Sequence, residues 1–111
     1  MSEYKLNKKD YLSLLNYYNI NSKGLSLLDI KNTAENILAN KLCRCIKKVD
    51  FYYSNKKIKK KKKDIIGICK HSVFTKKNIN LYKFKCKKRP SLLSNNKKTH
   101  KIFKNKKTPI Y

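Results

Sequence analysis

The 111-residue sequence predicts a mainly α fold: a small helical domain of two capped helices and a third short helix, then a short extended segment and a disordered basic tail. Three observations carry that expectation. Two helix-start motifs repeat one device around Asn7 and Ser26, a single apolar stripe at helical spacing crosses residues 27–49, and apolar periodicity dissolves after Arg89. The implied organisation is a domain over 1–88, with a flexible lysine loop at 54–63, and a basic tail over 89–111.

The first helix begins at Asn7, a good N-cap, with Asp10 three residues later and with Leu6 and Tyr11 placed as a hydrophobic staple. Tyr11, Leu12, Leu15 and Tyr18 recur at helical spacing, and the helix runs out near "NINSKG". Ser26 repeats the cap for the second helix, with Asp29 at the third position and Leu25 and Ile30 as the staple. Acidic groups in both first turns also suit the helix dipole. Along this second helix Ala34, Leu38, Leu42, Cys45, Ile46 and Val49 share one stripe, while Lys31, Asn40 and Lys47 fall outside it. Cys43 stands about 200° round the helix from Cys45, off the stripe.

The lysine block that follows, "KKIKKKKK", repels itself and reads as a loop. "DIIGICKHSVFTKK" admits helix or strand; a helix of about three turns is preferred, ending near Asn78, which tolerates a left-handed terminator, although Gly67 costs it ~1 kcal/mol. "NLYKFKCKK" sets Leu81, Lys83 and Lys85 against Tyr82, Phe84 and Cys86, the period of a half-buried strand. The last 23 residues lack the apolar density for independent order.

Charge dominates the composition. Thirty Lys and Arg face six Asp and Glu, a formal +24, and 21 of those bases but only one acid lie in residues 56–111. Such self-repulsion opposes compaction unless a polyanion supplies the counter-charge. A/T-rich coding would favour Lys over Arg, but it does not explain why acids are missing. With two arginines in the chain, phosphate affinity is expected without base reading, because lysine is a point charge rather than a bidentate fork. The expected phosphate contacts are Lys56, Lys57, Lys59, Lys60, Lys61, Lys62, Lys63, Lys87, Lys88 and Arg89. Phe51, Tyr52, Tyr53, Tyr82, Phe84 and Phe103 are interleaved with lysines as stacking or core groups.

Catalysis finds no footing. The six acids are scattered, His71 and His100 have no evident acidic partner, and two glycines cannot build a phosphate cradle. The expectation is a non-enzyme without catalytic residues. The start "MSEYKLNKKDYLSLL" has no apolar core of a leader and no run is long enough to span a bilayer, so the expected setting is soluble and intracellular.

Four cysteines in that setting suggest thiols or metal rather than disulfides. Cys43, Cys45, Cys69 and Cys86 are candidate ligands of a structural zinc, with His71 an alternative nitrogen donor. The competing reading is plain packing, since no pair has the C-x-x-C knuckle and Cys45 already lies on the apolar stripe. A helix running through Cys43 and Cys45 would keep the two from one ion; a chelate requires it to end near Leu42.

The order "YLSLLNYYNI", "AENILANKLCRCIKKV", "IGICKHSVF", "FKCKK" resembles short lysine-rich, four-cysteine proteins of nucleocytoplasmic large DNA viruses, the mimivirus-like giants, across residues 8–90. Gly67 departs from the pattern, which expects a better helix former there. The resemblance implies a viral origin, life in the host cytoplasm or virion, and four cysteines at recurring positions, which favours the zinc reading. It implies no particular activity. Taken with the charge, the expected function is non-sequence-specific nucleic-acid binding, DNA ahead of RNA, associated with the viral genome or its packaging. The alternatives are a virion assembly protein whose basic loop and tail bind acidic capsid or core subunits, and a zinc-containing transcription or regulatory module.

Overall fold

The structure is a computed structural model that describes residues 4–57, 59, 61–87, 89–94 and 101–104. It contains three helices, α1 (Lys8–Tyr17), α2 (Leu27–Asn55) and α3 (Lys62–Val73), a 3-10 turn (Thr75–Lys77) and five short strands. The strands are β1 (Tyr4–Lys5), β2 (Ile79–Leu81), β3 (Lys83–Lys85), β4 (Ser91–Leu93) and β5 (Ile102–Lys104). The mainly α expectation is therefore wrong. This is a small mixed α/β fold with two antiparallel sheets and two disulfides.

The helices follow their local signals. At α1 the side chain of Asn7 accepts from the Asp10 N–H at 2.9 Å, and the Asp10 carboxylate accepts from the Asn7 N–H at 3.0 Å, closing the capping box. Leu6 and Tyr11 beside it are buried, as a staple requires. Asn19, at φ +59°, turns the chain out of the helix. Ser26 caps α2 through the Asp29 N–H at 3.2 Å, whereas Leu25 stays exposed. This helix runs six residues beyond the predicted end, because "DFYYSN" contains neither Gly nor Pro to stop it. It stops where Lys57 takes φ +56°. At 1.5 Å per residue it is about 44 Å long, and α1, α3 and β4 all lie against it. α3 ends at Val73, short of the predicted Asn78, and the 3-10 turn that follows it closes on Asn78, left-handed at φ +63°.

The single predicted strand over "NLYKFKCKK" is two strands that belong to different sheets. Ile79 and Leu81 are buried at odd positions, but the next inward residue is Phe84, at an even one. Tyr82 is the one-residue break that switches the face. β3 pairs with β4 (Phe84 opposite Leu92), while β2 pairs with β5 (Leu81 opposite Ile102). β5 also pairs with β1, Tyr4 opposite Lys104, giving the order β1-β5-β2.

The disordered basic tail is overturned for its described residues, since β4 and the central strand β5 both lie in it. Low apolar density over the tail did not matter, because among its described residues Leu92 and Ile102 suffice to enter the core. Lys104 is buried too, and it is neutralised there: its Nζ stands 3.0 Å from Asp10 Oδ2. One carboxylate thus caps α1 and fastens β5 to it. Leu14, Leu15, Leu38, Leu42, Ile65, Phe74, Ile79 and Ile102 form the most deeply buried part of the common core.

Candidate nucleic-acid interface

Helical geometry decides the cysteines first. Residues two apart on α2 point to opposite sides, so Cys43 and Cys45 reach different neighbours. Cys43 is bonded to Cys86, just past β3, with Cα atoms 5.6 Å apart, and Cys45 to Cys69 on α3, at 5.7 Å. The zinc expectation for Cys43, Cys45, Cys69 and Cys86 is corrected accordingly. All four thiols are consumed, and among the described residues no group of three or more His, Cys, Asp or Glu is placed to hold a metal ion. With the thiols paired, cysteine usage no longer argues for a reducing compartment. The relative burial of the pair on α2 is also the reverse of the prediction. Cys43 is buried and Cys45 only half-buried, because the β3–β4 hairpin covers the side of α2 that the stripe left open.

The Cys43–Cys86 bond draws the end of β3 against α2 and leaves a groove of about 620 Å³ between α2, the start of α3 and the β3–β4 hairpin. Arg44 and Lys47 line it from α2, Lys62 from α3, and Lys85 and Lys87 from the hairpin. All five are exposed. Ile46, Ile66, Phe84 and Pro90 supply apolar surface between them, and no lining residue is acidic. α3 begins there on Lys61 with no side-chain cap, so Lys61, Lys62 and Lys63 add to the positive end of its dipole, offset by Asp64 alone.

Burial sharpens the positive surface. Asp10 is held inside by Lys104, and Glu35 lies buried on α2 with Oε1 3.9 Å from Lys101 Nζ. Desolvation pushes the Glu35 carboxyl above its ordinary value, against the pull of Lys101 and Lys31. Its Oε2 has no hydrogen-bond partner among the described residues. Exposed acids among the described residues are then Asp29, Asp50 and Asp64. One lysine is lost to ligands as well. Lys77 is buried over the rings of Tyr17 and Tyr18, at 4.9 and 5.6 Å, and its Nζ donates to the Val73 carbonyl at 2.8 Å. Desolvation, then Lys76, lowers its pKa; burial raises that of Tyr18 to about 12.

Of the ten basic residues singled out from the sequence, Lys62 and Lys87 line the groove. Lys56, Lys57, Lys59, Lys61, Lys63 and Arg89 are exposed outside its lining, most of them on the α2–α3 connection. Lys60 and Lys88 lie outside the described residues, as does His100. Arg44, Lys47 and Lys85 were missed. The signal for two of them was present, since Asn40, Arg44 and Lys47 recur at i, i+4 and i+7 on the polar side of α2. Lys85 carried no signal, because its position depends on the Cys43–Cys86 bond.

No helix among the described residues is long and apolar enough to cross a membrane. Comparison with protein-family models, curated proteins and solved structures finds no match.

Proposed function

We propose that the protein binds nucleic acid without sequence preference, through the groove of Arg44, Lys47, Lys62, Lys85 and Lys87 and the lysines of the α2–α3 connection. The observation that carries this reading is the groove itself: five exposed cations around an apolar floor, with no acid in the lining. Four of the five are lysines, which neutralise phosphate but do not read base edges in bidentate fashion. The sequence resemblance supplies only the setting, a large DNA virus, and no activity. With all four cysteines in disulfides, a zinc-containing regulatory module has no thiol ligands.

Binding to mixed-sequence DNA across a salt series tests the reading. Five phosphates neutralised by the groove cations alone give log K against log salt a slope of about −4.5 on duplex and about −3.5 on a single strand. Each further phosphate held by the α2–α3 lysines steepens it by about 0.9 or 0.7. Lys47→Ala reduces the slope by about 1 and weakens unrelated sequences alike. Absence of binding at ~50 mM salt, where counterion release is strongly favourable, overturns the reading. Retention of a specific protein partner after nuclease treatment would instead favour the assembly role.

A further inference from the structure

We propose that the groove takes a single strand in preference to a duplex, and that Phe51 at its end stacks on an unpaired base. This rests on the nucleic-acid reading above and adds the strand class. Asn40, Arg44 and Lys47 form the α2 wall of the groove. Phe51 is the next residue of the same stripe, at i+11 from Asn40, so it stands one turn beyond Lys47, about 6 Å along the axis. It is there only because α2 continues to Asn55. It is 67% exposed, the most exposed large apolar side chain among the described residues, which leaves its face open to be covered by a partner.

The chemistry of the cover follows from the surroundings. A second copy of so basic a groove would be repelled. An anionic polymer that also carries flat apolar rings satisfies both the cations and Phe51, and single-stranded nucleic acid is that polymer. In a duplex the base faces are already stacked, and a ring beside the backbone gains nothing from them. The neighbouring Tyr52 is differently engaged, with the Lys56 ammonium 5.8 Å from its ring centroid and the Tyr53 ring edge-on at 5.4 Å. Asp50 is the acid beside Phe51 in the chain, a helix step of about 100° away. Phe84, half-buried in the groove floor, offers a second aromatic surface farther in.

The test compares three probes of equal length on the full chain: oligo-dT, an abasic strand with the same phosphates, and a mixed-sequence duplex. The native protein should bind oligo-dT about 5- to 160-fold more tightly than the abasic strand, the range of one stacked base. Phe51→Ala should remove most of that preference and leave abasic and duplex binding unchanged, while Phe51→Tyr keeps it. Equal affinity for oligo-dT and the abasic strand, or a Phe51→Ala protein that still prefers oligo-dT, overturns the single-strand inference while leaving the nucleic-acid reading in place. Failure to bind any of the three overturns both.

Discussion

Replacing Cys43 and Cys86 together by alanine removes the cross-link that holds the β3–β4 hairpin on α2. The bond closes a loop of 43 residues, and for that length chain entropy alone assigns it about 4 kcal/mol. The Cys45–Cys69 bond spans 24 residues and is worth about 3.5 kcal/mol on the same scale. Small domains are stable by ~5–15 kcal/mol in all, so a chain with this much like charge leans heavily on either bond. Urea unfolding of the nuclease-treated double variant should show a loss of about 3–5 kcal/mol. Free energy is the proper readout rather than the midpoint, because an uncross-linked chain exposes more surface and steepens the denaturant dependence. Affinity for oligo-dT should fall as well, since Lys85 and Lys87 lose their fixed distance from Arg44 and Lys47. A stability change below about 1 kcal/mol, well under the loop-entropy figure, would refute the argument. So would peptide mapping that joined Cys43 to Cys69.

Three other outcomes are expected. Lys104→Met leaves Asp10 buried without its partner and should cost about 3–5 kcal/mol in urea unfolding; a loss below 1 kcal/mol, far short of that range, would mean that β5 is not held by this pair. Glu35 has a raised folded-state pKa, so its folded form is favoured while protonated and stability declines as pH climbs from the ordinary 4.5 through the raised value. The stability of Glu35→Gln relative to native should accordingly improve over that climb, and parallel pH profiles from chemical denaturation would contradict it. Gly67 lies on the exposed side of α3 with nothing within 4 Å of an added Cβ, so Gly67→Ala should stabilise by about 0.5–1 kcal/mol, read as a higher melting temperature; an unchanged or lower one would place a constraint on that helix that the structure does not contain.

The legible parts of the fold are those whose cause is local. Asn7 and Asp10, or Ser26 and Asp29, lie within one turn of each other, and their capping bonds form whatever the rest of the chain does. Asn78 likewise terminates the 3-10 turn after α3 through its own backbone preference. The strands are another matter. "IFK" at 102–104 looks like the lysine-rich sequence around it, and it becomes the centre of a sheet only because Tyr4 and Ile79 arrive on either side of it. The split at Tyr82 was visible as a change of parity, but only if Ile79 was counted with Leu81.

The candidate site divides the same way. Its sign of charge, its lysine chemistry and the α2 stripe of Arg44 and Lys47 were written in the residues before any folding. Which residues face them was not. Cys43 and Cys45 were bound to diverge because a helix turns about 100° per residue, a consequence of sequence alone. That one would find Cys86 and the other Cys69, and that the first bond would draw Lys85 and Lys87 opposite Arg44 and Lys47, was decided by the tertiary structure, since four cysteines allow three pairings and local forces do not distinguish among them.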